Sequence, residues 1–181
     1  MAACRIGFSG HSFGGWTGVS LAGGRYDPRR QRAFCEAAKT RDFYCAGTLK
    51  DDIAGIPTAD AGDSYRDHRI KAFYLMASGP AQGFIPESLA SITAPVFVDT
   101  AQSDDVLEPH ANSSALARQI PGAREVMRPI GHFAYAPECV APIPEPAKQL
   151  CADPPGIDRG VLHRQIAQDA IEFFNSHLSR K

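Results

Sequence analysis

The sequence lacks the features that would assign it to a membrane or to nucleic acid. It contains no apolar run of about 18 residues, the length that a membrane span needs, so no span is predicted. Lys and Arg total 19 against 20 for Asp and Glu, a net charge of -1. Without a basic surplus to neutralise phosphates, nucleic-acid binding is not expected. The opening Met1-Ala2-Ala3-Cys4-Arg5 has no basic segment followed by an apolar stretch, so it does not predict a signal peptide.

Motifs for metals and nucleotide cofactors are also missing. No Cys-x-x-Cys and no His-Glu-x-x-His occurs, so a zinc site is not expected. Neither G-x-x-x-x-G-K-[ST] nor G-x-G-x-x-G is present, so no phosphate-binding loop is predicted. The sequence therefore predicts no cofactor.

What is present describes one globular domain. The chain has 181 residues, 44% hydrophobic and 22% charged, so it can bury a core without a metal or a disulfide. Short apolar runs alternate with helical patterns, which predicts an α/β fold of about four mostly parallel strands with flanking helices. The predicted strands are residues 5–9, 70–76, 94–100 and 124–128. The predicted helices are residues 16–22, 110–119 and 159–178, with a further one around 29–40.

Two irregular segments and the last helix complete this outline. Residues 24–68 form an excursion between two strands, and residues 136–157 form a proline-rich loop. Asp158 is expected to cap the last helix. One face of that helix is expected to carry Ile166, Ala170, Ile171 and Phe174.

The strongest chemical motif is Gly10-His11-Ser12-Phe13-Gly14, which matches G-x-S-x-G between a predicted strand and a predicted helix. A nucleophile on such a sharp turn needs neighbours without Cβ atoms, which the two glycines provide. The motif predicts that Ser12 is a nucleophile and that the Phe13 N–H points into the site as an oxyanion donor. The alternatives are a plain tight turn or a glycine-rich phosphate loop, and the missing phosphate-loop patterns count against the second.

A nucleophilic serine needs a base, and the candidate is His132 in Gly131-His132-Phe133, just after the fourth predicted strand. His11 is adjacent to Ser12 and is expected to point away from its hydroxyl, where it packs or makes a hydrogen bond near the turn. The other histidines are expected on helix surfaces or in the excursion: His68, His110, His163 and His177.

The base in turn needs a carboxylate that holds its tautomer, and the segment after the third strand carries three. Spacing favours Asp105 over Asp104, with Glu108 a weaker choice. The alternative is that either aspartate only caps the helix predicted to start near His110.

The order Ser12, Asp105, His132 is the order found in α/β-hydrolases, and several segments resemble one group of that superfamily. The sequence around Ser12 is similar to the nucleophile turn of dienelactone-hydrolase-like and plasma-type platelet-activating-factor-acetylhydrolase-like enzymes. The resemblance implies a serine hydrolase that cleaves small carboxylic esters through an acyl-enzyme. The segments that carry it are residues 5–15, 105–109, 131–133 and 158–163, together with Cys139 and Cys151.

Two departures from the family pattern bear on the substrate and the acid. Dienelactone hydrolases use a cysteine where this chain has Ser12, so their substrate is not implied. The acetylhydrolases carry their acid after the strand that follows the nucleophile. This chain reads Met76-Ala77-Ser78-Gly79-Pro80 there, without a carboxylate, so the acid is expected from Asp105 or Asp104.

The resemblance also implies four strands upstream of the nucleophile, and residues 1–9 are all that precede this motif. We therefore expect the C-terminal half of an α/β-hydrolase fold, N-terminally truncated, with an exposed edge strand near Ile6. A second oxyanion donor would come from the upstream part, so this chain alone is expected to be weakly active or inactive.

Four of the five cysteines are spaced so that they could form two disulfide bonds within loops. Cys35 with Cys45 and Cys139 with Cys151 are the candidate disulfides, and Cys4 is left over, expected in the first strand. Two disulfides would favour a periplasmic or secreted protein, whereas five reduced thiols would fit the cytoplasm. Both interpretations stay open at this stage.

Two other functions are compatible with the same residues. One is a peptidase or acyltransferase that uses the same serine, histidine and aspartate. The other is a non-catalytic fragment or interaction module. The sequence predicts a small-molecule ester as the partner and predicts no oligomeric state.

Overall fold

A parallel β-sheet forms the centre of the molecule. The structure, a computed structural model, describes residues 5–38, 42–46, 55 and 58–179. The strands lie side by side in chain order, and all three neighbouring pairs are parallel. The predicted α/β class is confirmed. The strands are β1 (Ile6–His11), β2 (Ile70–Met76), β3 (Val96–Ala101) and β4 (Arg124–Arg128).

Helices cover both faces of this sheet. The helices are α1 (Phe13–Ala22), α2 (Pro28–Ala37), α3 (Pro86–Ala90), α4 (Ser113–Gln119) and α5 (Arg159–Leu178). Short 3₁₀ turns lie at Phe43–Cys45, His132–Tyr135 and Glu145–Cys151. No described helix is both long and apolar enough to cross a membrane.

Alternation along β2 divides the core into two layers, because successive strand side chains point to opposite faces. Phe73 and Leu75 pack in the layer that contains Val19 of α1 and Leu116 of α4. Tyr74, on the opposite face, packs with residues of the α5 layer. The two central strands, β2 and β3, are therefore buried on both sides, as strands of parallel sheets usually are.

The predicted bounds of β2 and β4 are those observed. The boundary between β1 and α1 was misplaced, because the strand continues to His11 and the helix starts at Phe13, leaving Ser12 alone as the turn. α4 begins at Ser113 rather than His110, because the Glu108 carboxylate accepts hydrogen bonds from the N–H groups of His110 and Ala111 and forms a separate turn. The helix expected around 29–40 is α2, and residues 39–40 lie outside the described residues.

α5 has its predicted cap but a different buried face. The Asp158 carboxylate accepts a hydrogen bond of 2.9 Å from the N–H of Val161. Ile171 was expected on the buried face with Ile166, yet it is 56% exposed. At about 100° per residue, five positions place Ile171 about 140° around the helix from Ile166. Phe173, and not Ile171, is packed in the core on this side of the helix.

β1 lies at one edge of the sheet, and Ile6 is 41% exposed, as expected for that edge. The two expected cysteine pairs are joined, Cys35 to Cys45 and Cys139 to Cys151, and these disulfides favour an oxidising compartment. The expected position of Cys4 lies outside the described residues.

Candidate active site

Three polar side chains meet where the strands end. Ser12 follows β1, Asp104 follows β3 and His132 follows β4, so all three lie at the carboxyl edge of the sheet. In open parallel sheets this edge is the usual place for a ligand site. His132 Nε2 lies 2.9 Å from Ser12 Oγ, and His132 Nδ1 lies 2.8 Å from Asp104 Oδ2. The fold therefore joins a hydroxyl, an imidazole and a carboxylate in one chain of hydrogen bonds.

Ser12 has a backbone conformation that L-residues rarely adopt, with φ 56° and ψ -119°. Its N–H donates to the Met76 carbonyl at 2.9 Å, which fixes the turn to the end of β2. Its carbonyl accepts from the Trp16 N–H at 3.1 Å and so starts α1. A strained residue held by both neighbouring elements is typical of functional sites.

The glycines around Ser12 differ from the expected steric pattern. A Cβ on Gly10 would lie 2.4 Å from the Gly14 carbonyl oxygen, so glycine is required there. A Cβ on Gly14 would meet nothing within 4 Å, so its expected steric role is wrong. The second close approach occurs at Gly15, where a Cβ would lie 1.8 Å from Ser78 Oγ. Gly15 packs against the loop after β2, whereas Gly14 faces open space.

The Phe13 N–H is available to a ligand by its position. Phe13 is the first residue of α1, and the first N–H groups of a helix have no acceptor within the helix. The partial positive charge at this end of the helix favours an anion. The Phe13 ring is stacked on Trp16, with 4.8 Å between the ring centroids, which fixes the first turn of α1 beside Ser12.

The carboxylate that faces His132 is Asp104, so the preference for Asp105 is wrong. Asp104 is buried, and its Oδ1 accepts from the N–H groups of Val106 and Leu107 at 2.9 and 2.7 Å. Those two bonds turn its Oδ2 toward His132. Asp105 is exposed. Asp104 caps its own turn rather than α4, which starts after Asn112.

His11 points away from Ser12, as expected, and contacts the backbone and the ring of His132. Its Nε2 lies 3.0 Å from the His132 carbonyl oxygen, and its ring lies 4.7 Å from the His132 ring. Burial, followed by the charge of neighbouring His132, lowers the pKa of His11 to about 4. His11 is therefore neutral near pH 7 and adds no positive charge beside the imidazole of His132.

The remaining histidines are mostly where the sequence placed them. His68, His110 and His177 are exposed, as expected. His163 is half-buried, and its Nε2 lies 2.8 Å from the carbonyl oxygen of Ala134. It therefore supports the 3₁₀ turn that contains His132 instead of lying free on the helix surface.

Sequence reasoning missed a buried polar cluster behind the site, centred on Asp99. Asp99 accepts hydrogen bonds from Tyr74 Oη at 2.8 Å, from Tyr135 Oη at 2.9 Å and from Arg128 Nε at 2.9 Å. Arg128 also pairs with Asp169 on α5. Burial, followed by the charge of Asp99, raises the pKa of Tyr135. Tyr135 therefore stays a donor, and it anchors the turn that carries His132. The available signal was a charged residue within the apolar run of β3.

The sequence reasoning also missed the Phe43–Cys45 turn, which lies beside Ser12. Tyr44 is half-buried; burial raises the pKa of its hydroxyl, and the nearby Ser12 side chain partly offsets that rise. Asp42 is fully buried and accepts from the Tyr44 N–H at 3.1 Å and from Asn112 Nδ2 at 2.5 Å. Burial raises the pKa of Asp42 despite these bonds. No local pattern in the excursion indicated this arrangement.

Within the described ranges, no group of three or more His, Cys, Asp or Glu side chains is placed to hold a metal ion. The side chains that meet at the site include a hydroxyl and an oriented imidazole that can accept its proton. Comparison of the chain with models of known protein families gives no match, and a search of curated proteins gives none either.

Proposed function

We propose that this protein is a serine hydrolase that cleaves carboxylic esters through an acyl-enzyme on Ser12. The observation that carries the proposal is the unbroken chain of hydrogen bonds from Ser12 Oγ through His132 to Asp104. A serine hydroxyl, a base and a carboxylate that orients the base are the three groups that nucleophilic acyl transfer needs. The strained backbone of Ser12 supports the same function.

In the proposed reaction, Ser12 Oγ attacks the ester carbonyl carbon while His132 Nε2 accepts the hydroxyl proton. The tetrahedral intermediate carries its negative charge on the former carbonyl oxygen, which accepts a hydrogen bond from the Phe13 N–H. His132 then gives the proton to the departing alkoxide, leaving an acyl ester on Ser12. A water molecule, activated by His132 in the same way, releases the acid and restores the hydroxyl.

Asp104 acts on the tautomer of His132 in this scheme. A carboxylate next to Nδ1 keeps the proton on that nitrogen and leaves Nε2 free to accept the serine proton. The same carboxylate stabilises the imidazolium that forms when His132 is protonated. The two N–H groups that hold Asp104 Oδ1 keep the carboxylate in this position through both steps.

The lineage and the location of the protein belong to the same proposal. We assign it to the α/β-hydrolases, among the dienelactone-hydrolase-like and acetylhydrolase-like enzymes that its motifs resemble. The nucleophile turn after β1 and the order Ser12, Asp104, His132 support this assignment. The disulfides Cys35–Cys45 and Cys139–Cys151 support a periplasmic or secreted enzyme.

Hydrolysis of p-nitrophenyl acetate tests the proposal. We expect weak turnover that falls to the background rate in the Ser12→Ala variant, because the nucleophile is lost. The matched control is Ser64→Ala, which changes an exposed serine and leaves the rate unchanged. Equal rates for the unsubstituted protein and Ser12→Ala, at equal folded fractions, would contradict the proposal.

A further inference from the structure

Phe13 takes part in the proposed reaction only through its backbone N–H, and its side chain has no role in that chemistry. The side chain is large and apolar, yet Phe13 is 53% exposed. It belongs to the residue that directly follows Ser12, whose Oγ lies 2.9 Å from His132 Nε2. Neighbouring Cα atoms are about 3.8 Å apart, so this ring is attached to the chain next to the nucleophile.

Three further aromatic rings support the Phe13 ring from one side. It lies nearly parallel to the Trp16 ring, with 4.8 Å between the centroids and 5° between the planes. Trp16 in turn contacts Tyr26 edge-on, with 5.3 Å between the centroids, and Phe84 at 5.8 Å. Phe84 is 2% exposed and belongs to the core that packs on α1. The Phe13 ring is therefore the exposed end of an aromatic cluster that continues into the core.

Stacking on Trp16 covers one face of the Phe13 ring and leaves the other face to the surroundings, in agreement with its exposure. A second flat ring can stack on that face with an offset, an arrangement that aromatic pairs favour. Because Trp16 already holds the ring in place, binding there orders no mobile side chain. The molecule thus presents a fixed aromatic face beside its nucleophile.

The course of the proposed reaction indicates which part of an ester lies beside Phe13. The acyl carbon becomes bonded to Ser12 Oγ, and its oxygen accepts from the Phe13 N–H. The alcohol leaves with a proton from His132 Nε2, so it lies on the His132 side. The acyl group stays on Ser12 until water releases it. The residue with the exposed ring is therefore the one that holds the acyl group.

We propose that Phe13 is a specificity-determining residue, which favours esters of aromatic carboxylic acids by stacking its exposed face on the ring of the acyl group. The inference rests on the proposed function and names its substrate class. Ser12, His132 and the Phe13 N–H act on any ester, whereas the Phe13 ring distinguishes a benzoyl group from an acetyl group. Trp16 is a positioning residue in this scheme, since it holds the Phe13 ring.

Two substrates with the same leaving group test the inference. The quantity measured is the ratio of kcat/KM for p-nitrophenyl benzoate to kcat/KM for p-nitrophenyl acetate. Phe13→Leu keeps the N–H and an apolar side chain but removes the flat ring. We expect the ratio to fall by about 3–10-fold, the usual contribution of one aromatic pair. Both esters use the same N–H, so a change in the oxyanion donor cancels from the ratio.

Two control variants accompany this comparison. Phe13→Tyr retains the ring and should retain the ratio. Tyr65→Leu removes a ring that is 58% exposed and should leave the ratio unchanged. Tyr65 precedes the first residue of β2, Ile70, so it lies toward the amino edge of the sheet, whereas Ser12 lies at the carboxyl edge.

Two further probes separate stacking from simple apolar contact. p-Nitrophenyl cyclohexanecarboxylate has an acyl ring of similar size that is not flat, and Phe13→Leu should slow its hydrolysis less than that of the benzoate. Phenylboronic acid forms a tetrahedral adduct with an active serine and carries its ring in place of the acyl group. Relative to methylboronic acid, its affinity should fall in Phe13→Leu by about the factor found for the ester ratio.

The outcomes distinguish this inference from the proposed function. An unchanged ratio in Phe13→Leu, with a melting temperature that shows a folded protein, would overturn the inference. Equal losses for the benzoate and the cyclohexanecarboxylate would also overturn it, because stacking would then have no part. In both cases, hydrolysis that depends on Ser12 leaves the proposed function standing. Hydrolysis that Ser12→Ala does not reduce, or no hydrolysis of either ester, would overturn both.

Discussion

Asp104 and Asp105 are adjacent carboxylates in one turn, and only one can orient His132. The backbone decides between them, because the N–H groups of Val106 and Leu107 both point at Asp104 Oδ1. Asp105 has the same side chain but projects to solvent. The choice depends on the geometry of a turn that begins where β3 ends, and residue spacing carries no information about that geometry.

Paired substitutions test this assignment. We expect Asp104→Asn to lower kcat by about 10³–10⁴-fold, because the amide favours the wrong tautomer of His132. Asp105→Asn should stay within about 2-fold, since an exposed carboxylate contributes little. Steady-state kinetics with p-nitrophenyl acetate measure both. A larger loss in Asp105→Asn than in Asp104→Asn would reverse the assignment.

His11 gives the folded state a specific pH dependence. Its pKa falls from 6.5 to about 4 on folding, chiefly through burial. Between those two values the unfolded chain binds a proton at this residue and the folded protein does not. Above pH 6.5, His11 therefore does not reduce the free energy of unfolding. As the pH falls from 6.5 toward 4, that free energy declines, and below pH 4 protonation of His11 lowers it no further.

His11→Gln should remove this part of the pH dependence. Urea unfolding at pH 7 and pH 4 is expected to show a decline that is smaller in the variant by about 2 kcal/mol, allowing for solvent screening of the half-buried ring. Glutamine keeps an N–H group that can donate to the His132 carbonyl oxygen but does not titrate. The difference between the two proteins therefore reports protonation of His11 alone. An identical decline in both proteins would show that His11 does not titrate in this way.

At the scale of elements, the two disulfides have different neighbours. Cys35–Cys45 joins α2 to the turn that carries Tyr44, beside Ser12. Cys139–Cys151 closes the proline-rich loop on itself and ends in the 3₁₀ turn Glu145–Cys151. Only the first joins a turn that is bonded to the Asp104 turn, through the Phe43 N–H that donates to the Val106 carbonyl oxygen at 2.8 Å.

Removing each disulfide separately tests this difference. The double variants Cys35→Ser/Cys45→Ser and Cys139→Ser/Cys151→Ser should each lose about 2–4 kcal/mol of unfolding free energy. We expect kcat to fall by about 10-fold or more only in the first, because the Phe43–Cys45 turn that is bonded to the Asp104 turn loses a support. Urea unfolding and ester kinetics give the two quantities. Equal falls in kcat would contradict the element-specific role of Cys35–Cys45.

The elements that the sequence predicted well are those with simple local signals. β2 and β4 have their predicted bounds because each is a short run bounded by turn residues. α5 begins after a strong cap, Asp158. The β1–α1 boundary could not be read in this way, because one strained residue replaces the turn. The Phe43–Cys45 turn depends on a disulfide and on contacts with distant residues, which periodicity does not report.

Across the whole molecule, the Asp99 cluster connects the sheet to the site. It links β2 through Tyr74, β4 through Arg128 and the His132 turn through Tyr135, and Arg128 continues the link to α5. Asp99 has no exposed surface, so these partners take the place of water around its carboxylate. The carboxylate therefore fixes where β4 and the turn after it lie relative to Ser12.

Asp99→Asn should destabilise the folded state by about 3–5 kcal/mol, because it leaves the buried Arg128 guanidinium without its main counter-charge. Asp169→Asn is the matched control, since it removes the other carboxylate from the same arginine at a side chain that is 26% exposed. It should cost about 1 kcal/mol or less. Urea unfolding measures the loss of unfolding free energy in each variant. An equal loss in the two variants would show that the buried Asp99 stabilises the fold no more than the partly exposed Asp169.

The site as a whole was only partly visible in the sequence. Ser12 and His132 could be named because a motif and a position after a strand identify them without tertiary information. Asp104 was only the second choice and Asp99 was not identified, since their roles depend on which side chains the fold brings together. The sequence thus indicated the reacting groups better than the groups that hold them in place.

The location of a covalent adduct directly tests whether Ser12 is an activated nucleophile. A fluorophosphonate reacts with a serine only where a base activates it, and peptide mass spectrometry identifies the labelled residue. We predict one adduct, on Ser12, that forms more slowly in Asp104→Asn and is absent in Ser12→Ala. Labelling that persists in Ser12→Ala, or a folded protein that is never labelled on Ser12, would contradict the assignment of Ser12 as the nucleophile.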